Sequence, residues 1–204
     1  RMLNNGKIHP LTNDKLKAAE LRIRELAEEG LRVIAIAYRQ LEENEDLNEH
    51  VERNMIFVGL AAMKDPPRPE VKEAVRLAKQ AGIKTVIITG DYGPTAQVIA
   101  EEVEIVDQKN ARIIRGIDLE AKSDREIVDE VRKGNVIFAR VSPEQKLRII
   151  QVLKAKGEIV AVTGDGANDA PSLREADIGV AMGASGTDVA REASDMVLLD
   201  DSFA

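Results

Sequence analysis

The sequence carries one short pattern twice: an apolar, strand-like run ends in Thr-Gly-Asp and leads into a helix-forming stretch. The two copies are KTVIITGDYGPTA at 84–96 and EIVAVTGDGANDA at 158–170. From about residue 69 onward, short apolar runs alternate with stretches of helical periodicity, several of which stop at a glycine. Alternating strands and helices favour βαβ units, so the pattern predicts a mostly parallel α/β sheet covered by helices.

The chain before residue 69 follows a different pattern. Residues 12–30 have the apolar spacing of an amphipathic helix, and 33–38 and 55–60 are apolar runs typical of strands. At 64–69 the sequence reads KDPPRP, and prolines this close together can continue neither a helix nor a strand. The proline segment therefore predicts a domain boundary.

Charge and composition exclude several classes of function. The 204 residues include 29 Lys plus Arg and 36 Asp plus Glu, which gives a net charge of −7. A chain this acidic, with only 2% aromatic residues, is a poor nucleic-acid binder because it lacks phosphate-neutralising charge and stacking rings. Without cysteine it can hold no disulfide or thiolate metal site. No apolar run approaches the ~18 residues of a membrane span.

The two Thr-Gly-Asp turns are predicted to lie where open α/β sheets bind ligands, beyond the carboxyl ends of the strands. The Thr hydroxyl and the N-terminus of the next helix suit phosphate oxygens. The second turn adds Asp169 four residues after Asp165, with Gly166 and Asn168 between them. Two carboxylates at one strand end suit Mg²⁺. The alternative is that Asp165 caps the next helix and Asp169 lies on its exposed first turn. The preceding strand and Pro171 favour the metal site.

Lys146 is the candidate cation of this site. It lies in FARVSPEQK at 138–146, where Ser142 and Pro143 predict the start of a helix directly after a strand. A lysine in that place can reach a phosphoryl oxygen, although a lone lysine on an amphipathic helix is more often solvated. The sequence contains no P-loop, no G-x-G-x-x-G after a strand and no EF-hand loop.

Taken together, these motifs resemble the P-type cation-transporting ATPases, and among them the type II, Ca²⁺-pump-like branch. The matching segments cover nearly the whole chain after residue 29: GLRVIAIAYR, KDPPRPEV, GIKTVIITGD, VIFARVSPEQK, TGDGANDAP, ADIGVAMG and ASDMVLLDDSF. The resemblance implies a haloacid-dehalogenase-like phosphorylation domain into which a nucleotide-binding domain is inserted. It implies that 1–60 is the C-terminal part of an α+β nucleotide-binding domain, 61–68 a hinge and 69–204 an incomplete phosphorylation domain.

The resemblance also assigns roles to residues of the site, with Mg²⁺ and ATP as cofactors. Asp65 is placed at the hinge, where a role as a turn residue before two prolines is an equal alternative. The implied catalytic residues are Lys146, Thr89, Asp91 and Asp169. The implied phosphate- and nucleotide-binding residues are Arg32, Thr89, Gly90, Asp91, Arg140, Lys146 and Asn168. The implied metal ligands are Asp165 and Asp169.

One segment of the family pattern is absent from the sequence. The family's nucleophilic aspartate lies in D-K-T-G-T, which does not occur here. The resemblance therefore implies that the phosphorylated aspartate is upstream and that the sheet lacks its nucleophile strand. We expect a soluble fragment of the catalytic head, on the cytoplasmic face of a membrane-embedded parent. Its partners would be ATP and the remainder of the pump, and a dimer or a complementing strand would fill the gap.

Two other functions stay open at this point. The first is a stand-alone, non-enzymatic module that binds nucleotide or Mg²⁺. The second is a phosphatase of the haloacid-dehalogenase type, which is disfavoured because it needs the same missing strand. We expect the chain alone not to hydrolyse ATP. The transported ion is not specified by these residues, with Ca²⁺ as the leading candidate.

Overall fold

The computed structural model describes residues 1–41, 52–64, 66–107 and 110–203. The chain divides into two compact units, Arg1–Pro66 and Pro67–Ala204, so the boundary falls inside the segment predicted as a hinge. Asp65, which was predicted to act at that hinge, lies outside the described residues. Each unit is described by itself.

The first unit is a four-stranded sheet with one helix. Its elements are β1 (Met2–Asn4), β2 (Lys7–His9), α1 (Asn13–Glu28), β3 (Arg32–Tyr38) and β4 (Ile56–Met63), and the strand order is β2-β1-β4-β3. The predicted helix and both predicted strands are present, and Gly30, with φ +81°, follows the end of α1. The β1–β2 hairpin was not predicted. Its strands are three residues long, too short to show alternation, and only Asn5-Gly6 signals the turn.

The second unit alternates strands and helices, as predicted. Its strands are β5 (Ile87–Ile88), β6 (Arg112–Arg115), β7 (Val136–Ala139), β8 (Ala161–Gly164), β9 (Ile178–Met182) and β10 (Met196–Leu198). Its helices are α2 (Val71–Gln80), α3 (Gly93–Glu102), α4 (Gly116–Glu120), α5 (Asp124–Lys133), α6 (Pro143–Ala155), α7 (Ala170–Glu175) and α8 (Asp188–Ala193), and a 3-10 turn spans Ala167–Asp169. All strand pairs of this unit are parallel, which confirms the predicted α/β class.

These strands form two sheets of three, ordered β5-β7-β6 and β10-β9-β8. β5 and β8 each lie at the edge of a sheet, and no strand in the described ranges pairs with their outer edges. The second unit thus has a break between the edge strands β5 and β8. A single sheet that lacked one strand between them would be interrupted at this place. Ile88 of β5 and Val160, just before β8, each pack against the hydrophobic clusters of both sheets. The two Thr-Gly-Asp turns therefore follow the two strands that border the break.

Helix α6 joins the two clusters and places the candidate lysine. Its Ile149 packs in the cluster around Phe138, and the next residue, Ile150, packs in the cluster around Leu173. Burying an aliphatic side chain of this kind stabilises the fold by about 1.5–3 kcal/mol. Ser142 caps the helix in a reciprocal capping box with Gln145, as predicted from Ser-Pro. The cap starts the helix at a defined residue and so fixes Lys146 in its first turn.

No helix within the described ranges has both the length and the apolar character that crossing a membrane requires.

Candidate active site

A cleft of about 740 Å³ opens at the carboxyl ends of β5 and β8. It is bordered by both Thr-Gly-Asp turns, the start of α6, the turn after β9 and the segment after β10. Six residues predicted for the site line it: Thr89, Gly90, Lys146, Asp165, Asn168 and Asp169. Their assembly follows from the topology, because parallel strands bring their carboxyl ends to one edge.

The first Thr-Gly-Asp turn is held by the loop that follows β7. The Thr89 amide donates to the Phe138 carbonyl (2.8 Å), and the Val141 amide donates to the Thr89 carbonyl (3.1 Å). Within the turn, the Asp91 amide donates to Thr89 Oγ1 (3.0 Å). The Asp91 carbonyl accepts from the amide of Arg140, which has a φ of +53°. The first turn is thus fixed mainly by backbone hydrogen bonds to the end of β7 and to the loop that follows it.

The second turn is closed by its own downstream carboxylate. Asp169 Oδ2 accepts from the amides of Asp165 (3.2 Å) and Gly166 (3.1 Å). Gly164 makes this closure feasible, since a Cβ there would lie 2.6 Å from Cβ of Asp169. On its other side, the Asp165 carbonyl accepts from the amide of Thr187 (2.8 Å), at the start of α8. The loop is therefore held from two directions.

Lys146 and Asp169 form the central ion pair of the cleft. Lys146 Nζ donates to Asp169 Oδ1 at 2.5 Å, and the two side chains are 19% and 16% exposed. Burial raises the pKa of Asp169, but the hydrogen bonds from Lys146 and the Gly166 amide outweigh it and lower the pKa below its ordinary value. The carboxylate stays ionised at neutral pH and holds the ammonium group at the cleft wall.

Asp165 is the carboxylate that fits a metal. It is exposed on the cleft, and its side chain makes no hydrogen bond or ion pair with the described residues. Asn168 lines the cleft beside it. Within the described ranges no three His, Cys, Asp or Glu side chains are grouped to hold a metal. The exposed Asp165 carboxylate beside Asn168 suits Mg²⁺, which commonly takes one or two carboxylates plus phosphate oxygens and water. Asp169 stays a predicted ligand, although both its oxygens have other partners here.

Three predicted residues do not line the cleft. Asp91 and Arg140 directly adjoin lining residues in the chain, and the Arg140 guanidinium lies 5.9 Å from the centre of the Tyr92 ring. Arg32 is an exposed residue of β3 in the first unit. The structure thus brings six of the predicted residues into one cleft, and the phosphate, metal and nucleotide roles all remain predictions.

The cleft is also lined by residues for which no role in the site was predicted, including Arg68, Ser142, Ser185 and Asp201. Arg68 Nη1 donates to the Asp201 carbonyl. Both residues lie in segments that carried the family resemblance, KDPPRPEV and ASDMVLLDDSF, so a signal was present without an assigned role. Ser185 lies between Ala184 and Gly186, outside the segments that carried the resemblance, and has no comparable signal.

Known proteins match the chain at both family and sequence level. A family model described as haloacid dehalogenase-like hydrolase matches residues 4–177. Calcium-transporting ATPase 1 of Bacillus cereus is 49% identical over 99% of the chain, and the calcium-transporting ATPase of Bacillus subtilis is 44% identical over all of it. Cation-transporting ATPase pma1 of Synechocystis is 42% identical, again over the whole chain.

The chain spans 22–23% of the length of these three relatives. They confirm the resemblance to cation-transporting ATPases that the motifs predicted. The family match and the parallel α/β sheets agree with each other, and the chain belongs to the haloacid dehalogenase-like hydrolases.

Proposed function

We propose that this chain is part of the catalytic head of an ATP-driven cation pump, on the cytoplasmic face of a membrane. In the proposed reaction, an aspartate carboxylate oxygen bonds to the γ-phosphorus of ATP, and ADP leaves. The observation that carries the proposal is the shared cleft of Thr89, Gly90, Lys146 and Asp165, between two parallel-strand ends. The names of the relatives make Ca²⁺ the first candidate for the transported ion.

The proposed chemistry is positioning combined with charge neutralisation, as is general for phosphoryl transfer. Lys146, held by Asp169, lies in the cleft and would pair with oxygens of the transferred phosphoryl group. Thr89 and Gly90 would bind the same group through the hydroxyl and the backbone. Mg²⁺ at Asp165, with Asn168 beside it, would offset the charge of the phosphate oxygens. Asp91, Arg140 and Arg32 would contact the nucleotide.

The accepting aspartate is proposed to lie outside these 204 residues, in a D-K-T-G-T segment. Among the described residues no strand pairs with the outer edges of β5 and β8, which supports this, because an unpaired strand edge is a template for a further strand. A strand from that segment, or from a second copy of the chain, would satisfy both edges. We accordingly expect no ATP turnover by the chain alone, and robust Mg²⁺-dependent hydrolysis by the purified chain would contradict the proposal.

Phosphorylation of the missing segment in trans tests the proposal. A peptide containing D-K-T-G-T is mixed with the chain, Mg²⁺ and γ-labelled ATP, and acid-stable, hydroxylamine-labile label on the peptide is measured. We expect labelling that Asp165→Ala abolishes. Asp195→Asn changes a carboxylate far along the chain from the proposed metal loop at 163–169; it is the control and should retain the labelling. No labelling, or labelling that survives Asp165→Ala unchanged, would contradict the assigned roles.

A further inference from the structure

Asp201 is a buried acidic residue for which the proposed chemistry has no role. It is 5% exposed and has a φ of +55°. Its carboxylate accepts hydrogen bonds from the amides of Ala184 and Ser185, each at 2.8 Å. These amides belong to the turn that links β9 to α8. The side chain therefore holds the turn through two charge-assisted bonds, which are stronger than neutral ones.

The same turn is restrained at further points, so it behaves as a rigid piece. The Gly183 amide donates to the Leu198 carbonyl (2.8 Å). The Arg191 guanidinium donates to the carbonyls of Gly183 and Gly186. A Cβ at Gly186 would collide with the Met182 carbonyl, so only glycine fits there. If the backbone at one end of this turn moves, we therefore expect the backbone at the other end to move with it.

At its C-terminal end, the turn at 183–187 contacts the proposed metal loop at 163–169. The Thr187 amide donates to the Asp165 carbonyl (2.8 Å), and Thr187 also caps α8 through its hydroxyl. Since the Asp165 carboxylate has no partner in the described residues, its position depends on its backbone. Asp201 is thus connected to Asp165 through two carboxylate–amide bonds, one rigid turn and one backbone bond.

We propose that Asp201 is a positioning residue that sets the Asp165 carboxylate for Mg²⁺ by holding the turn at 183–187. The inference rests on the proposed function, in which Asp165 binds the metal. Hydrogen bonds from the Ala184 amide and from Ser185 lower the pKa of Asp201, so its carboxylate is ionised at neutral pH. Arg68, which donates to the Asp201 carbonyl, restrains it from a second side.

Asp195 provides a matched control for Asp201. Its Oδ2 accepts from the Gly179 amide (2.8 Å), and its own amide donates to the Gly179 carbonyl (2.8 Å). Like Asp201, it is a carboxylate that ties the β10 region to the β9 region. It acts near the start of β9, however, whereas the cleft lies at the other end of that strand.

The test compares Asp201→Ala, Asp201→Asn and Asp195→Asn in the full chain. Mg²⁺ affinity is measured by titration while the amide resonances of Asp165 and Gly166 are followed by NMR, and hydrogen exchange of the Thr187 amide is measured in parallel. Asp201→Ala should weaken Mg²⁺ binding about tenfold, as loss of an outer-shell partner does, and should accelerate exchange at Thr187. Asp201→Asn should give a smaller effect, because one oxygen still accepts. Asp195→Asn should lower Tm without changing Mg²⁺ affinity.

The inference is overturned if Thr187 exchange is unchanged in both Asp201 variants, or if Asp195→Asn weakens Mg²⁺ binding equally. If Asp201→Ala does not fold, Asp201→Asn decides by the same two readouts. If Mg²⁺ shifts no resonance near Asp165 in the unaltered chain, the proposed metal site is refuted. Thr187 exchange would then still decide whether Asp201 positions the loop.

Discussion

The two Thr-Gly-Asp turns share a tripeptide and a place in the topology, yet they are held in different ways. The turn at 89–91 is fixed by backbone bonds to the loop after β7 and by the hydroxyl of Thr89. The turn at 163–165 is closed by the Asp169 carboxylate, which also binds Lys146. The Thr163 hydroxyl makes no hydrogen bond among the described residues.

The difference shows how one motif can serve two purposes. At the first turn, neutral backbone groups form a fixed wall whose shape does not depend on charge. At the second turn, loop shape and site charge are coupled, because the carboxylate that closes the loop also holds the lysine. Substitutions should therefore affect stability more strongly at the second turn than at the first.

The largest difference in stability between the two turns is expected when the glycine of each is replaced by alanine. In Gly164→Ala the new Cβ would lie 2.6 Å from Asp169 Cβ, so Asp169 must move and its bond to Lys146 is lost. We expect a loss of about 3 kcal/mol in the free energy of unfolding, the upper range for overpacking. In Gly90→Ala the nearest atom is the Val141 carbonyl oxygen at 3.9 Å, and the change should stay within about 0.5 kcal/mol. Urea unfolding measures the free energy of unfolding of both variants. Equal losses in the two would contradict the expected difference between the turns.

A smaller effect is expected from Lys146→Met, which leaves Asp169 without its cation. We expect a loss of about 1–2 kcal/mol at pH 7, because a part-buried carboxylate loses its charged donor. The effect should depend on pH. The pKa of Asp169 is lowered in the folded chain, so its stabilisation is complete above its ordinary pKa of 3.8 and is lost as pH falls through the folded value.

The difference in unfolding free energy between Lys146→Met and the unaltered chain should therefore narrow as pH falls below about 4. The control is Lys133→Met, which removes a more exposed pair with Glu130, 3.4 Å apart, and should cost less at pH 7. If the difference in unfolding free energy between Lys146→Met and the unaltered chain stays constant from pH 6 to pH 3, the Lys146–Asp169 pair does not couple the shape of the loop to the charge of the site.

The smallest effect is expected from removing each threonine hydroxyl. Thr89→Val removes the acceptor of the Asp91 amide and should cost about 0.5–1 kcal/mol. Thr163→Val removes a hydroxyl without a partner in the described residues and should be close to neutral. Thermal unfolding of the two variants provides the measurement. A larger loss for Thr163→Val would show that the second turn relies on its hydroxyl after all.

Much of the second unit could be predicted from its sequence because each element carries its own local signal. The apolar runs of β7 and β9 and the Ser-Pro start of α6 are complete within a few residues. β5 was predicted over 84–88, but only Ile87 and Ile88 are paired. Among the described strands it pairs only with β7, and that pairing begins at Ile87, so 84–86 meet no partner strand.

Within the site, the sequence predicted six of the residues that meet in the cleft, but not how they bond. Six residues were expected at strand ends and helix starts, and topology alone brings them to one cleft. The Asp169 bonds depend on the conformation of a loop, which residue type does not determine. Asp201 contacts the turn after β9 only because β10 pairs with β9, a long-range pairing that no local pattern shows.

The division of the second unit into two sheets also bears on how it folds. β5, β6 and β7 all come from residues 87–139, and β8, β9 and β10 all come from 161–198. Each sheet thus pairs segments close together in the chain, which lowers the loop-closure entropy that must be overcome before pairing. We expect each three-stranded sheet, with the helices packed on it, to fold as a cooperative unit, or half, of its own. Helix α6 connects the two halves, because it packs in the hydrophobic clusters of both. Thr89 and Asp165 belong to different halves, so the cleft is complete only when the two halves dock.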